Sequence, residues 1–399
     1  MLRGKRRRAG TSGKIWFDPA VDCRRRDQRH EAIVLVLPIT ADGRAWPPTD
    51  GELGAGSNNS PQFGPYTARG GKPKPVIEYR AFKNSDPPQL VELWHACELG
   101  RGAATAFSTD AFERANFSQP YFDRAGLIVA VDGSRIIGFA HAGFGCNEDQ
   151  SALDRRVGVI CAIMVRPDYR RRGIGRELFR RAECYLRESG AQTLQAGASG
   201  LCDPFYFGLY GGSRPSGFLE SDANSGPFLA AMCYKPAETI DVLQRDISEP
   251  RDPINFRLTT IRRKWEVELV ERTHQTSWWW ETRFGRMESL GALLVRKGDA
   301  VGDPVAGVTI TGLDCYRERW HHQALGLSQL FVIDSERGKG FGQAILVETI
   351  RRLRKELVTL IEIHVPSTNP SALATARSAG FVQVDTGIVY RVPPDSAPE

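Results

Sequence analysis

The sequence predicts a mixed α/β fold, a mixed sheet with helices on its faces, built twice in tandem with the second copy partly reduced. Three observations support this prediction. Strand-like and helix-like hydrophobic periodicities alternate from residue 76 to residue 392. A basic, glycine-containing segment recurs at a fixed offset in the same strand–loop–helix setting. The two regions are each long enough to bury a core of their own.

Periodicity in the first copy predicts the order β-α-α-β-β-β-α-β-α-β. Period-two alternation indicates strands, and apolar residues at helical spacing indicate helices. Asp132-Gly133 is typical of a hairpin turn. The predicted strands are 76–82, 126–131, 135–144, 157–165, 193–196 and 227–234, and the predicted helices are 86–97, 110–116, 173–189 and 204–210.

Composition divides the chain into an extension at 1–75, a first domain at 76–236, a linker at 237–253 and a second domain at 254–392. The extension holds 14 of the 53 Lys/Arg and 7 of the 47 Asp/Glu, so the other 324 residues hold 39 and 40. Its Gly/Pro-rich composition predicts disorder. A flexible tail, an upstream extension and a nucleic-acid-contacting arm stay open for it. The nearly neutral remainder argues against a nucleic-acid surface there.

Composition also argues against membrane and metal chemistry. The longest clean apolar stretch near the start, residues 33–37, is far too short to span a bilayer. The eight cysteines lie singly, without C-x-x-C spacing, which predicts neither a zinc site nor a redox motif. We therefore expect a cytoplasmic protein with reduced thiols and no metal. The oligomeric state stays open.

The recurring segment is R-R-R-G-I-G at 170–175 and R-G-K-G-F-G at 337–342, an offset of 167 residues. Each copy follows a strand ending in valine, Val165 or Val332, and opens an amphipathic helix. About 33 residues further on, Asp203 and Asn369 each precede another predicted short helix. These matched settings predict a tandem duplication.

A loop that enters a helix N-terminus leaves backbone N–H groups without partners, and these groups attract anions. Gly173 and Gly175 allow a phosphate to approach the backbone, and neighbouring arginines add positive charge. A plain glycine turn with solvated arginines is the alternative. The spacing differs from the dinucleotide and Walker patterns.

With these motifs, both halves resemble the GNAT superfamily of acyl-CoA N-acyltransferases, and the two-copy chain resembles the mycothiol synthase family in architecture. The resemblance implies that the loop binds the pyrophosphate of acetyl-CoA, a co-substrate, and that the preceding strand pairs with pantetheine. The implied binding residues are Ile163, Met164, Val165, Arg170, Arg171, Arg172, Gly173, Ile174, Gly175, Arg176 and Asp203 in the first copy, and Val332, Arg337, Gly338, Lys339, Gly340, Phe341, Gly342 and Asn369 in the second.

The resemblance also implies a tyrosine acid seven residues after the Asp or Asn that opens the following helix. That position is Tyr210 after Asp203 but Ala376 after Asn369, so the first copy is expected to be catalytic. The general base is less determined. Asp154 is the candidate, through a water chain, while solvated loop acids and His141 are alternatives.

The sequence thus predicts direct acetyl transfer from acetyl-CoA to a primary amine of a small-molecule partner. A non-catalytic acyl-CoA sensor and acetylation of a protein N-terminus or lysine are the alternatives. The Trp278-Trp279-Trp280 run is interpreted as core or as a seam between domains.

Overall fold

The computed structural model describes residues 77–271, 277–284, 289–298 and 303–393. The predicted extension, residues 1–75, lies outside them. In the first copy most predicted elements form within a few residues of their predicted ends. They are β1 (Glu78–Ala81), α1 (Pro87–Ala96), α2 (Thr109–Asn116), β2 (Leu127–Asp132), β3 (Arg135–Cys146), β4 (Leu153–Val165), α3 (Ile174–Glu188), β5 (Thr193–Ala196), β6 (Phe218–Leu219), α4 (Ser225–Ala231) and β7 (Lys235–Asp246).

The second copy repeats the strands but carries one helix, where the first carries two, between its first two described strands. The elements are α5 (Phe256–Lys264), β8 (Trp265–Val270), α6 (Trp278–Phe284), β9 (Ser289–Arg296), β10 (Ala306–Gly312), α7 (Arg317–Trp320), β11 (Ala324–Val332), α8 (Phe341–Arg354), β12 (Leu360–Pro366), α9 (Pro370–Ser378) and β13 (Val382–Arg391).

One sheet runs through both copies. Its path is β1-β2-β3-β4-β5-β13-β7-β12-β11-β10-β9-β8, with β6 paired to β13. The last strand of the chain, β13, therefore lies beside β5 of the first copy, and β7 of the first copy lies beside β12 of the second. The two copies have exchanged their final strands, so neither completes its sheet alone.

Pairing registers show a pseudo-twofold relation between the copies. Arg391 pairs with Lys235 at one end of the β13–β7 ladder and Val382 with Gln244 at the other, so that each residue of β7 matches the residue of β13 that lies 147 positions later. The Ile240–Gly387 pair maps onto itself under this offset. β4 and β5 match β11 and β12 at an offset of 167 instead. The difference places about 20 extra residues of the first copy between β5 and α4.

Three sequence predictions were wrong in this region. Residues 204–210 form turns rather than a helix, because Tyr206 and Gly208 have positive φ values of 65° and 75°. Residues 227–234, predicted as a strand, lie largely in α4, since a short apolar run does not separate strand from helix. Residues 237–246 of the predicted linker belong to β7, whose second half is buried.

Three apolar clusters hold the sheet between layers. One lies beneath α8 and α9 of the second copy, and another lies beneath α3 of the first. The third joins α1 and α2 to the opposite face of the first copy and includes Leu313 and Tyr316 of the second. The copies are thus joined by a shared core as well as by shared strands.

Removing residues 382–399 should abolish folding of both copies, because β13 pairs on one side with β5 and on the other with β7. We expect no cooperative unfolding transition by circular dichroism.

Truncation after Pro393, which keeps β13, is the control and should unfold as the full chain does. A chain lacking β13 that kept the full-length transition would contradict the shared-strand arrangement.

Candidate active site

The first basic loop connects β4 to α3 with a backbone suited to anions. Gly173 precedes the helix at φ 82°, and a Cβ there would meet nothing within 4 Å. The first-turn N–H groups of α3 lack helical partners. Arg171, Arg172 and Arg176 are exposed, and among the described contacts none forms an ion pair. Residues 166–176 hold five arginines and one aspartate, a net charge of +4.

Arg170 has a different place from the other loop arginines. Its guanidinium donates to the Val165 and Cys97 carbonyl oxygens at 3.1 and 3.0 Å. It therefore braces the loop against the end of β4.

The second basic loop has the same backbone but a different charge. Gly338 and Gly340 have φ values of 75° and 92°. Arg337 pairs with Asp334 at 2.8 Å and Lys339 with Glu336 at 3.0 Å. These four are the charged groups of residues 333–343, so this loop is neutral.

A cation from outside the second loop lies against it. A Cβ on Gly340 would meet the Arg257 side chain of α5 at 2.4 Å, and the guanidinium lies 3.4 Å from the Gly338 carbonyl oxygen. Because residues 333–343 have no net charge, Arg257 gives the surroundings of the second loop a net positive charge.

Each copy has a gap between its two parallel strands. The last pair is Ile160–Ala196 in the first copy and Leu327–Ile363 in the second. Cys161 is the extra residue in the β3–β4 register, so a bulge lies at the start of the first gap. Ile163, Met164 and Val165, and Val332 in the second copy, lie beyond these points. These residues pair with β3 or β10 on one side and have no described pairing on the side of β5 or β12, where the resemblance places pantetheine.

Aromatic rings fill the acceptor face of the first copy. Phe205 stacks on His141 with centroids 4.0 Å apart, and the Tyr206 hydroxyl lies 2.9 Å from His141 Nδ1. Trp94 stacks on Tyr206, and the rings pack in one cluster with Ala162 and Met164 of β4 and β3's Phe139. Burial lowers the pKa of His141 to about 3, so this histidine is a neutral packing group.

The predicted catalytic residues Tyr210 and Asp154 have separate hydrogen-bond partners in this structure. Tyr210 is half-buried, and its hydroxyl accepts a hydrogen bond from the Leu219 N–H at 3.0 Å. Burial raises its pKa, which keeps the hydroxyl protonated. Asp154 lies at the start of β4, where it pairs with Gly145 of β3, whereas the bulge at Cys161 lies opposite His141 and Ala142. Hydrogen bonds from Arg156 lower the pKa of Asp154. Both assignments stay predictions.

The two residues predicted to open matching helices are not equivalent. Asn369 caps α9, accepting from the Ala372 N–H at 3.0 Å. Asp203 caps no helix and lies buried at the seam between the copies. By the 147-residue offset, the counterpart of Asn369 is Asp222 and that of Ala376 is Leu229. The position seven residues on is therefore apolar in both copies.

A polar pocket lies where the inserted segment of the first copy faces the second. It encloses about 590 Å³, its open mouth included. Ser328 and Gln329, the first residues after the Leu327–Ile363 pair, form one wall, so the pocket opens at the strand gap of the second copy. The other lining residues are Gln150, Gly200, Leu201, Asp203, Phe207, Ser213, Arg214, Trp279, Trp280, Arg283, Thr309 and Thr311.

A buried ion pair closes one side of this seam pocket. Asp203 pairs with Arg283 of α6, and their side chains are 1% and 7% exposed. Trp279 Nε1 donates to Asp203 at 3.3 Å, and Trp279 stacks on Tyr121 of the first copy at 4.9 Å. Burial raises the pKa of Asp203, and Arg283 offsets this in part. The seam interpretation of the tryptophan run is confirmed for Trp279.

A second carboxylate lies behind the pocket. Glu362 accepts from the Ser213 N–H at 2.8 Å, from Gln244 at 2.7 Å and from His364 Nε2 at 3.0 Å. Burial opposes its ionisation, but His364 and these hydrogen bonds outweigh burial and lower the pKa of Glu362. His364 Nδ1 lies 2.7 Å from the Ser216 hydroxyl. Sequence reasoning missed this network, since Ser213 lies 149 residues before Glu362 and Ser216 lies 148 residues before His364.

Two findings concern other kinds of site. No described helix is long and apolar enough to cross a membrane. Within the described ranges, no group of three or more His, Cys, Asp or Glu side chains could hold a metal ion.

The two anion loops, the paired strand gaps and the exchanged strands define a tandem protein of the acyl-CoA N-acyltransferase fold. The profile of the Acetyltransferase (GNAT) family matches residues 88–200 and 256–381, and the chain belongs to this family. Membership confirms the predicted family and fold class.

The curated proteins that this chain resembles in sequence are also acetyltransferases. A mycothiol acetyltransferase of Corynebacterium urealyticum is 29% identical over 134 residues, covering 32% of this chain and 37% of the relative. The chain spans 35–37% of the length of the three curated relatives it matches. Their names support the predicted enzyme class, an acyltransferase.

Solved structures share the fold. A tandem GNAT protein from the clavulanic acid biosynthesis pathway superposes with a TM-score of 0.53 at 17% identity, over 80% of this chain and 99% of that one. A GCN5-related N-acetyltransferase from Sphaerobacter thermophilus gives 0.53 at 14% identity, over 80% and 96%. They confirm the tandem arrangement of the fold.

Replacing Asp203 with alanine should lower the free energy of unfolding by about 3–5 kcal/mol, because it leaves the buried Arg283 without its carboxylate. Denaturant titration measures the loss.

Asp154→Ala is the matched control. It also removes an Asp–Arg pair, but Arg156 is 68% exposed, so we expect a change of about 1 kcal/mol or less. Equal effects of the two substitutions would contradict the buried-pair description.

Proposed function

We propose that the chain transfers the acetyl group of acetyl-CoA directly to a primary amine of a polar small molecule bound in the seam pocket. The observation that carries this proposal is the position of the pocket. It opens at Ser328 and Gln329, where β11 separates from β12, and it is lined by polar side chains from both copies. Small-molecule sites typically combine aromatic walls with a few polar groups that fix the orientation of the ligand, as the walls of this pocket do.

In this proposal the second loop binds the coenzyme A pyrophosphate. The N–H groups at the start of α8 face the anion, and Arg257 adds the charge that Asp334 and Glu336 remove. Pantetheine lies along β11 beyond Leu327, which brings the thioester beside the seam pocket. Acetyl-CoA acts as a co-substrate. The neutral amine attacks its thioester carbon, the C–N bond forms as the C–S bond breaks, and coenzyme A leaves as a thiolate that takes up the proton the nitrogen loses.

The first loop is proposed as a second acyl-CoA site. Its net charge of +4 and the open space around Gly173 favour an anion. The aromatic cluster on the acceptor face leaves this copy little room for an amine. Transfer in the first copy, with Tyr210 as proton donor to the thiolate, is the second candidate. The half-buried, protonated Tyr210 hydroxyl favours it.

The names of the relatives suggest the acceptor. Three curated relatives are mycothiol acetyltransferases, so a polar amine of mycothiol type is the first acceptor to test. A small-molecule partner in the cytoplasm fits the pocket, while a protein tail or lysine is the alternative acceptor.

Purified full-length protein with acetyl-CoA should release coenzyme A and form an acetylated product with at least one amine. The panel holds mycothiol, its deacetylated form, amino sugars, polyamines and lysine peptides. Chromatography of coenzyme A with product mass is the measurement, because thiol-reactive dyes would also detect a thiol acceptor.

Binding of acetyl-CoA with no acetylated product across the panel would instead support the non-catalytic sensor. Product formed only on lysine peptides would support protein acetylation.

Two corresponding glycine substitutions identify the copy that performs transfer, and a side chain at Gly340 also displaces Arg257. Gly340→Val and Gly173→Val each place a β-branched residue at a positive φ before the loop helix, which distorts the anion site. We expect Gly340→Val to lower turnover about 100-fold or more and Gly173→Val to lower it much less.

Calorimetry with coenzyme A counts the sites that remain in each variant. A larger loss of turnover with Gly173→Val would show that the first copy, with Tyr210 as proton donor, performs the reaction.

A further inference from the structure

Two hydroxyl groups in the seam pocket are buried without a hydrogen-bond partner. Ser213 is 0% exposed and Thr311 is 2% exposed, yet neither Ser213 Oγ nor Thr311 Oγ1 has a partner among the described residues. A buried polar group without a partner costs free energy, so proteins seldom retain one without a reason. Of the described side-chain hydroxyls in this state, the other two, Thr105 and Thr349, do not line the pocket.

The two hydroxyls come from different copies and meet at one glycine. Ser213 lies on the inserted segment of the first copy, and Thr311 lies on β10, paired with Gly326 of β11. A Cβ on Gly326 would meet Ser213 Cβ at 2.5 Å and Thr311 Oγ1 at 3.1 Å. Gly326 precedes Leu327, the last residue of β11 before the gap. The pair therefore lies one residue from the place proposed for the thioester.

The charge behind this position favours a cation. The Ser213 N–H donates to the buried Glu362 carboxylate, which is held ionised by its hydrogen bonds and by His364. The nearby cations differ in their environment: Arg283 is paired with Asp203, and Arg214 is exposed at the pocket wall. An acceptor that arrives as an ammonium group is thus attracted to the Glu362 carboxylate behind Ser213, and it must lose one proton before its nitrogen can attack.

Two hydroxyl oxygens also match the geometry of a primary amine. A neutral primary amine has two N–H bonds and one lone pair. If the two N–H bonds donate to Ser213 Oγ and Thr311 Oγ1, the lone pair stays free to attack a carbon on the remaining side. An acceptor without N–H or O–H groups cannot satisfy both oxygens in this way.

We propose that Ser213 and Thr311 bind the reacting amino group of the acceptor and orient it toward the thioester in the second copy. This inference rests on the proposed function for the identity of the acceptor as an amine. It makes the reaction site composite, because one copy supplies Ser213 and the other supplies Thr311. Glu362 acts behind them as a positioning residue for the backbone of Ser213.

The test measures amine binding and stability in Ser213→Ala and Thr311→Val, with Thr349→Val as the matched control. Thr349 also carries a buried hydroxyl without a partner, but it lies in α8 within the core of the second copy. Calorimetry uses deacetylated mycothiol as the amine probe and mycothiol as the same ligand without a free amine, both with coenzyme A present so that no acetyl group transfers.

Each pocket variant should bind the amine about tenfold more weakly, and Thr349→Val should bind it as the wild type does. Binding of mycothiol should change much less. Because no internal hydrogen bond is lost, both pocket variants should unfold at or above the wild-type temperature. A purely structural role for the two hydroxyls would instead lower that temperature and leave the ratio of amine to acetylated-ligand affinity unchanged.

The inference is overturned if both variants bind the amine as the wild type does, if they weaken mycothiol binding equally, or if the wild type does not bind the amine. These failures are separable from failure of the proposed function. Turnover of any panel amine with an unchanged KM in both variants would contradict the proposed amine subsite and still support the proposed function. Amine binding that depends on the two hydroxyls, without turnover, would support the proposed amine subsite and contradict the proposed function.

Discussion

The exchange of β7 and β13 at the centre of the sheet is the constraint on which the rest of the structure depends. Each strand completes the sheet of the other copy, and the Ile240–Gly387 pair marks the pseudo-twofold relation between them. Backbone ladders are directional and have fixed register, so the exchange fixes how the copies face each other. The segment that leaves β5 reaches the second copy, where the Ser213 N–H donates to Glu362 of β12. The seam pocket is a consequence of that geometry.

The insertion of about 20 residues after β5 affects the two copies in opposite ways. Phe205 and Tyr206 fill the acceptor face of the first copy, while Ser213 and Arg214 form a wall of the pocket on the second. Trp279, Trp280 and Arg283 of α6, the one helix described between β8 and β9, also line this pocket. The loops differ in the opposite sense, since the first is strongly basic and the second is neutral apart from Arg257. The more basic loop therefore belongs to the first copy, whereas the seam pocket opens at the strand gap of the second.

Sequence predicted the elements that local physics determines. The loop glycines, the hairpin at Asp132-Gly133 and the long helices follow from turn chemistry and periodicity, and the 167-residue offset holds wherever no insertion intervenes. It failed where distant segments decide. The sequence of β7 looks too polar for a buried strand. Its Gln244 and Arg245 are nevertheless buried, because Glu362 and the Ala379 carbonyl oxygen, which are distant in sequence, accept their hydrogen bonds. Cys233 is the counterpart of Gly380 at the 147-residue offset, and both have a positive φ. Because the first copy has cysteine rather than glycine at this position, the sequence contains no glycine signal for the change of offset from 167 to 147.

Burial of charge at the seam explains why the pocket can be both polar and fixed. An isolated carboxylate would be expelled or neutralised in an apolar interior, yet Glu362 is 1% exposed and its pKa is lowered. Donors from three segments make this stable: Ser213 of the insertion, Gln244 of β7 and His364 of β12. Removing any one segment leaves a buried charge under-compensated, so the network forms only when all three have docked. A site assembled in this way depends on both copies for its walls. The hydrogen bond from the Ser213 N–H to Glu362 favours the arrangement in which Ser213 lies beside the strand gap of the second copy.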